Sequence, residues 1–425
     1  MRIGLPTVAT LAWSSETERL VPYTYSMPHE SAASRETLQK TSPIPSLFLF
    51  HTASNVGYAI APLESLFYEI AVQIAKGDSS LVHFGYRNLD NGHPRNLPAG
   101  FKNLIGYDYS CLAAPKIQWL ADYVKRNQIR LIVIFDIQPI SPLFRPLRKA
   151  GARAIIGYWG APISSLMPRW KLVLKKLEVA LSRSRIDGLI FESKAMAHLA
   201  IYGRGISPKD IDVVYLGVDT TLYRPARSTY VHETLGIPRE KKVIIYAGHM
   251  ESRKGVSTLV EAAIELLLRR KRQDVCFLLC GNKGDESKRY ERMYAGLGID
   301  RFIQFGGYRS DLPQIYPSCF CGVISSSGWD SFPRSPLEMS ASGLPVVAAR
   351  LQGLPEAVLN QSTGLLFEPG DAIALADCLE ALLEHPEHAA EYGRRGRERC
   401  EAELKIDIQR KHLRDVFLKR LSARS

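Results

Sequence analysis

The chain has 425 residues, of which 46% are hydrophobic and 23% are charged, and its formal net charge is +12. These values predict a soluble globular protein of about two domains. No apolar run approaches the roughly 18 residues that a membrane-spanning helix needs, which excludes an integral membrane protein. The positive charge predicts anionic partners: a nucleotide diphosphate, an anionic membrane or a phosphorylated acceptor. Nucleic acid is not predicted, because no zinc-finger, RRM or KH signature accompanies the charge.

The seven cysteines predict a reducing compartment, and so a cytoplasmic protein. Cys276, Cys280, Cys319 and Cys321 lie in or beside apolar, strand-like runs, which is typical of buried free thiols. Three residues separate Cys276 from Cys280 and no histidine cluster stands nearby, so no metal site is predicted there.

Residues 1–45 are predicted to be a poorly structured lead. The first residues, 1–13, could be a poor signal peptide. The following segment, 14–45, is rich in Ser, Thr, Glu and Pro without a clear period, which favours a loosely packed lead instead.

Short apolar runs alternate with helix-like segments over the first half of the chain. The predicted strands are 46–51, 81–84, 131–135, 154–157, 188–191 and 213–215. Helices are predicted at 62–74 and 166–181, and 85–110 is predicted to be a long surface loop. Strands that alternate with helices indicate βαβ units and a parallel sheet, so 46–222 is predicted to be a Rossmann-like domain.

The second half repeats this alternation. The predicted strands are 243–246, 275–280, 301–305, 322–325, 345–348 and 364–367. Helices are predicted at 255–270 and 372–383, which makes 223–400 a second Rossmann-like domain. The final helical stretch, 387–421, is long enough to predict a break near Lys405.

A pair of carboxylates precedes the strand at 345–348. Asp330 and Glu338 are eight residues apart; Asp330 is predicted to lie in a loop and Glu338 on the first turn of a helix. The N–H groups and the positive dipole end of a helix start suit phosphate, and the two carboxylates can take hydroxyl groups on either side of it. A nucleotide sugar has this layout. The alternative is an ordinary loop–helix–strand turn of an α/β domain.

The stretch from Asp330 to Glu338, with GLPVVA behind it, resembles the E-x7-E region of retaining glycosyltransferases of the GT-B fold, family 4. The resemblance covers 210–385 closely and 46–200 loosely. It implies an α/β fold of two Rossmann-like, doubly wound domains facing a cleft, with a C-terminal helix, 401–425, that returns to the N-terminal domain. It also implies that Asp330, where the family has Glu, orients the donor sugar and that Glu338 holds the ribose. Further donor-binding residues implied between them are Ser331, Phe332, Ser335, Pro336 and Leu337, with the backbone of 335–337 holding the phosphates.

The segment from Gly248 to Gly255 resembles the family pattern Gly-Arg-x4-Lys-Gly. Lys254 matches the lysine that holds the donor diphosphate, whereas His249 stands where the family has arginine. Arg253 could restore the missing charge, or it could form a solvated pair with Lys254. Cations are unfavourable at a helix start, which favours the functional interpretation.

The resemblance implies further donor-binding residues at other strand ends. Gly57 is the one glycine left in place of the family's Gly-rich turn. Trp159 occupies the place of a family histidine and could either stack on a sugar ring or pack in the core. Gly281, Asn282 and Tyr308 lie where the family binds the nucleobase.

Residues 166–185 combine six basic side chains and one acid with Trp170 and several leucines. Such a segment could lie on an anionic membrane. A domain helix with a solvated basic face is the favoured alternative.

Together these features predict a retaining glycosyltransferase that moves a hexose from a UDP- or GDP-sugar to a hydroxyl of a glycan, lipid-linked or small-molecule acceptor. Asp330, Glu338, Lys254 and Arg253 are its predicted catalytic residues, and no metal or other cofactor is expected. The predicted location is the cytoplasm, with possible peripheral attachment to the cytoplasmic face of the membrane. The departure at His249 leaves open a nucleotide-sugar-binding or scaffold protein on a degenerate GT-B fold. A Rossmann oxidoreductase is not predicted, because no G-x-G-x-x-G opens either half.

Overall fold

The computed structural model describes residues 42–55, 61–282 and 285–423. The predicted lead therefore lies, apart from its last four residues, outside the described part of the chain. Gly57 also lies outside it.

The first domain is built on a seven-stranded parallel sheet with the order β3-β2-β1-β4-β5-β6-β7. Its strands are β1 Ser46–Leu49, β2 Val82–Tyr86, β3 Leu104–Gly106, β4 Leu131–Phe135, β5 Ala154–Trp159, β6 Gly188–Phe191 and β7 Ile211–Val213. Its helices are α1 Ala61–Ile74, α2 Ala114–Arg126, α3 Phe144–Lys149, α4 Arg169–Leu181 and α5 Lys194–Arg204. The edge strand β3 lies inside the segment predicted to be a loop. Three residues between polar neighbours are too short a run to predict a strand.

The second domain has a six-stranded parallel sheet with the order β10-β9-β8-β11-β12-β13. Its strands are β8 Lys242–Ala247, β9 Val275–Cys280, β10 Ile303–Gly307, β11 Cys321–Ile324, β12 Val346–Ala349 and β13 Gly364–Phe367. Its helices are α6 Tyr230–Leu235, α7 Val256–Ile264, α8 Asp285–Tyr294, α9 Leu312–Ile315, α10 Arg334–Ala341, α11 Leu354–Ala357 and α12 Ala372–Glu384. The prediction of two doubly wound parallel sheets is confirmed.

The last two helices tie the halves together. They are α13 Pro386–Glu403 and α14 Ile406–Ser422, so the predicted break near Lys405 is confirmed. On α13, the guanidinium of Arg397 donates to the carbonyls of Thr220, Tyr223 and Ala341 at 2.7–3.0 Å. After the break, α14 packs against α1 and β5 of the first domain.

One hydrophobic core is shared by the first domain, the start of α10 and the C-terminal helix. Phe48 of β1 packs with Phe67 of α1 and Phe417 of α14. Phe332 and Leu337 of the second domain belong to the same buried cluster. Burial of this apolar surface favours a fixed arrangement of the two domains.

No helix in the described part of the chain is both long and apolar enough to cross a membrane.

A buried ion pair anchors α14 to the first sheet. The carboxylate of Asp212 on β7, with a 2% exposed side chain, accepts hydrogen bonds from Lys419 Nζ at 2.9 Å and from Arg420 Nε at 2.9 Å. Without Arg420, the buried carboxylate of Asp212 would keep only the largely exposed Lys419 as a cationic partner, so most of the compensation for its burial would be lost.

We therefore expect Arg420→Ala to lower the free energy of unfolding by about 3–5 kcal/mol. Denaturant titration followed by circular dichroism measures this loss. In the control, Arg395→Ala, an exposed pair with Glu391 is removed, and the unfolding midpoint should stay in place. Equal midpoints for the two variants would show that the pair does not anchor the helix.

Candidate donor-binding site

The predicted site residues of the second domain gather where its strand order reverses. Successive strands run outward in opposite directions from β8 and β11, which are neighbours in the sheet. The loop after β8 carries Gly248 and Lys254, and the loop after β11 carries Asp330. In open parallel sheets the carboxyl ends of such strands leave a crevice that binds ligands.

A close backbone approach joins these two loops. Gly255 has φ +64°, and a Cβ atom there would lie 1.8 Å from the carbonyl oxygen of Ser325, so only glycine fits. The Ser325 hydroxyl donates to the carbonyl of Lys254 at 3.1 Å, and the N–H of Ser327 donates to the carbonyl of Arg253 at 2.8 Å. The loop that carries the cations is thereby fixed against the loop that carries the acid.

Lys254 and Asp330, both predicted from the sequence, meet at this junction. Lys254 Nζ lies 2.7 Å from Asp330 Oδ2, and both side chains are largely buried. The Ser326 hydroxyl donates to the same oxygen at 2.7 Å, and the Asp330 N–H donates to Gln352 Oε1 at 3.1 Å. The acid is therefore held by three residues of its own domain before any ligand binds.

Glu338 lies further along α10 than predicted. The helix begins at Arg334, which places Glu338 fifth, in the second turn and not in the first. The hydroxyls of Tyr316 and Tyr223 donate to its carboxylate, the former at 3.5 Å. Burial raises the pKa of Glu338, since a low-polarity environment disfavours the charged form.

Arg334, the first residue of α10, was not predicted from the sequence. The helix start has no side-chain cap, so its first N–H groups are available to a ligand. Nη2 of Arg334 is buried without a hydrogen-bond partner in the described part of the chain. A buried guanidinium nitrogen at an uncapped helix start suits an anion. Its signal in the sequence was a cation at a position where the helix dipole disfavours one.

Arg253 and His249, two further residues of the segment that resembles Gly-Arg-x4-Lys-Gly, are engaged differently. The Arg253 guanidinium stacks at 4.0 Å on Trp329 and donates to Glu251 Oε2 at 2.6 Å and to the Trp329 carbonyl at 3.2 Å. Its charge is met locally, which argues against the prediction that it replaces the missing arginine. Burial lowers the pKa of His249, which follows Gly248 at the end of β8, so its imidazole is neutral near pH 7.

Four predicted donor contacts have buried side chains. The Trp159 indole packs in the first-domain core and donates to the carbonyl of Ile137 at 3.0 Å, so the core alternative is correct. Phe332 stacks on Tyr215, with ring centroids 4.8 Å apart. Leu337 and Pro336 are buried within α10, and proline has no N–H to offer a phosphate. The predicted contact of phosphate with the backbone of 335–337 does not depend on these side chains and stays a prediction.

The remaining predicted residues lie along the carboxyl edge of the second sheet. Gly281 and Asn282 follow β9, and Tyr308 follows β10 with 66% of its surface exposed. A Cβ atom on Gly281 would lie 2.2 Å from the carbonyl of the loop after β8. Ser335 is half-buried in the first turn of α10.

Glu192 forms the facing wall from the first domain and was not predicted. It follows β6, accepts a hydrogen bond from the Tyr158 hydroxyl at 2.9 Å, and accepts another from the Ser331 hydroxyl across the cleft at 3.0 Å. Burial raises the pKa of Glu192 to about 7, although these hydrogen bonds and the charge of Arg334 act in the opposite direction. The sequence held no motif that could identify it.

A second carboxyl group lies at the switch point of the first sheet. Asp136 follows β4 in the left-handed region, with φ +48°. Its Oδ2 lies 3.4 Å from Nδ1 of His51, which follows β1. Burial raises the pKa of Asp136 and the nearby His51 opposes this rise.

A candidate metal group lies outside the predicted site. Among the described residues, His385, Glu387 and His388 bring their ligand atoms within 4.8 Å of one another at the start of α13. All three are exposed, and none was predicted to bind the donor.

Part of the chain is similar to a known protein family. Residues 229–399 match the family model described as Glycosyl transferases group 1. Over these residues the chain is similar to that family. The matched segment contains the loop after β8, the acid pair and most of α13.

Curated relatives of the chain include the D-inositol 3-phosphate glycosyltransferase of Corynebacterium efficiens, which is 34% identical over 188 residues. That match covers 42% of this chain and 44% of the relative. The enzyme of the same name from an Arthrobacter species is 30% identical over 260 residues, covering 56% of this chain and 60% of the relative. The chain thus spans about half the length of the curated relatives it matches.

Solved glycosyltransferase structures share the fold over nearly the whole chain. Anabaena Alr3699/HepE in complex with UDP has a TM-score of 0.71 at 19% identity and covers 88% of this chain and 100% of that one. Sucrose-phosphate synthase from Thermosynechococcus elongatus has a TM-score of 0.69 at 20% identity, and the match covers 89% of this chain and 99% of that one. The predicted GT-B fold is confirmed.

The raised pKa of Glu192 predicts a specific dependence of stability on pH. The folded carboxyl has a pKa of about 7, above its ordinary value of 4.5. As pH rises from 4.5 to 7, the carboxyl of Glu192 loses its proton in the unfolded chain but keeps it in the folded protein. The free energy of unfolding therefore falls over this range and levels off above pH 7. The group contributes a loss of about 3 kcal/mol over this range.

Glu192→Gln keeps the neutral shape and should remove this part of the pH dependence. The difference in unfolding free energy between the two proteins, measured from pH 4 to 8, should change by about 3 kcal/mol in favour of the variant. Glu178→Gln, at an exposed position, is the control. A difference that stays constant with pH would contradict the raised pKa.

Proposed function

We propose that this protein is a retaining glycosyltransferase that moves a hexose from a UDP- or GDP-sugar to a hydroxyl of a glycan, lipid-linked or small-molecule acceptor. The observation that carries the proposal is the meeting of Lys254 and Asp330, 2.7 Å apart, directly before the uncapped start of α10. A cation, a carboxylate and free helix N–H groups then face one crevice.

The start of α10 supports binding of the donor diphosphate. Its first N–H groups and positive dipole end attract anions. Lys254 lies beside it, and Arg334 brings a buried guanidinium nitrogen that has no partner among the described residues. In this assignment Arg334 supplies the charge that the neutral imidazole of His249 does not.

The two acids take hydroxyl groups on either side of the diphosphate. Asp330 Oδ2 is engaged by Lys254 and Ser326, and in the proposal Oδ1 accepts from a hydroxyl of the donor sugar. Glu338 accepts from the ribose. A carboxylate must be ionised to accept from both ribose hydroxyls. The raised pKa of Glu338 therefore means that ribose binding by this residue weakens as pH falls.

The proposed reaction takes place on one face of the sugar. The bond from the anomeric carbon to the diphosphate oxygen breaks, and its electron pair leaves with the diphosphate. The acceptor hydroxyl oxygen forms the new bond to the same carbon, and its proton passes to a phosphate oxygen of the leaving group. Lys254 and Arg334 stabilise the negative charge that grows on that group. No metal is part of this proposal.

The comparisons support the donor class and the setting. One structural neighbour, Anabaena Alr3699/HepE, was solved with UDP and with UDP-glucose. The seven cysteines of this chain are free thiols, which is consistent with action in the reducing cytoplasm.

A second candidate, a nucleotide-sugar-binding scaffold, is favoured by one observation. Arg253 is occupied by Glu251 and Trp329, and His249 is neutral near pH 7, so two positions that could carry charge to the phosphates do not. Calorimetry with UDP- and GDP-sugars, paired with an assay for released nucleotide, separates the candidates. Binding without turnover over a panel of acceptors supports the scaffold.

Lys254→Ala is expected to lower turnover about 100-fold, since one positive charge at the leaving group is lost. Release of UDP or GDP from the donor measures turnover, and a thermal unfolding curve confirms that the variant folds. Lys125→Ala, on the exposed side of α2, is the matched control. Full activity in Lys254→Ala, or in Glu338→Ala, would contradict the proposed roles of these residues in donor binding and transfer.

Arg334→Ala is expected to weaken UDP or GDP binding about tenfold or more, because a charge-assisted hydrogen bond to the diphosphate is removed. Calorimetry measures the dissociation constant. Arg334→Lys should recover part of the affinity. The control, Arg292→Ala on α8, should bind the nucleotide as tightly as the native protein. Unchanged affinity in Arg334→Ala would remove this residue from the site.

A further inference from the structure

Helix α4, Arg169–Leu181, has two apolar faces, and only one of them is buried. Leu172 and Val179 point into the first domain. The large apolar side chains of the other face are between 53% and 79% exposed: Trp170, Val173, Leu174, Leu177 and Leu181. These positions are not accounted for by packing within the domain.

The exposed residues form one continuous stripe. Their spacing of three or four residues places them on one side of a helix with 3.6 residues per turn, opposite the buried pair. Leu166, which is 52% exposed, stands just before the helix. Scattered exposed hydrophobic residues are normal, but a contiguous patch of this kind marks an interaction surface.

Basic residues border the stripe on both sides. At about 100° per residue, Lys171 and Lys175 fall on one side, and Arg169 and Lys176 fall on the other. Lys171 Nζ lies 5.2 Å from the centre of the Trp170 ring. Glu178 is the one acid of the helix, and Lys175 pairs with it.

We propose that α4 docks the first domain on an anionic phospholipid bilayer, with the stripe in the acyl boundary and the basic borders on the headgroups. Apolar residues on one face with lysine and arginine at its margins are what an interfacial helix needs. The amphipathic side chains of lysine and arginine keep their charges at headgroup level while their stems cover apolar surface. The opposite face, through Leu172 and Val179, keeps the helix attached to the domain.

The charge of the borders favours a bilayer over another protein as the occupant. An excess of positive charge around an apolar stripe complements an anionic bilayer, which has negative headgroups above an apolar acyl region. A second copy of this chain would bring the same positive borders together. The docking surface stands apart from the proposed transferase activity and can be tested without it.

Sedimentation with vesicles of phosphatidylcholine, with and without 30% phosphatidylglycerol (about one lipid in three, enough to set a negative surface potential), tests the proposal on the full chain. The protein should pellet with the anionic vesicles and remain in solution with the neutral ones. Its tryptophan emission should shift to shorter wavelength on binding, and this shift should be lost in Trp170→Phe. Equal pelleting with both kinds of vesicle would overturn the role of the charges.

Two double variants separate the stripe from its borders. Leu174→Gln with Leu177→Gln removes apolar surface, and Lys171→Glu with Lys176→Glu reverses charge. Each double variant should lower the bound fraction at least tenfold. For the charge variant, the reason is that one basic residue near an anionic membrane contributes about fivefold in affinity. The matched control, Lys116→Glu with Lys125→Glu on α2, should bind like the native protein.

Light scattering on the same proteins gives the competing outcome. If the native chain fails to bind anionic vesicles and instead forms a dimer that the Leu174→Gln and Leu177→Gln variant dissociates, the stripe is a contact between copies and the proposal is wrong. A native monomer that binds vesicles, with both α4 variants losing that binding while the α2 control keeps it, supports it.

Discussion

The close approach of two loops at Gly255 is the constraint on which the candidate site depends. The absent Cβ lets the backbone after β8 lie against the carbonyl of Ser325, and hydrogen bonds between the loops then fix their relative position. Lys254 reaches Asp330 only because its own backbone is held there. A larger residue at 255 would force the cation loop away from the acid loop, so the charge pair and the backbone conformation cannot be separated.

The same region joins the two domains. The Glu356 carboxylate of the second domain accepts from the N–H groups of Lys194 and Ala195 at 2.8–2.9 Å, at the start of α5 in the first domain. Tyr215 donates to the same carboxylate and stacks on Phe332. The two domains are thus joined, close to the loop that carries Asp330, by a packed and hydrogen-bonded contact.

The alternation of apolar runs and helices made the fold predictable, since buried parallel strands such as β4 and β9 are almost wholly apolar. The positions of Lys254 and Asp330 followed from a local pattern. Glu192 could not be predicted, because its role arises from a partner, Ser331, that is 139 residues away. The sequence also could not predict that Trp159 is buried or that the second apolar face of α4 is exposed. A sequence shows which residues are apolar but not which of them pack against the domain.

The ion pair of Asp212 has a consequence for how the chain is made. Its partner Arg420 lies 208 residues further along. At about 5–20 residues per second, synthesis delivers that partner roughly 10–40 s after Asp212 itself. Throughout that interval the first sheet carries an unpaired carboxylate and lacks the helix that covers α1 and β5. The first domain therefore leaves the ribosome before the second but can be completed only after α14 has been made.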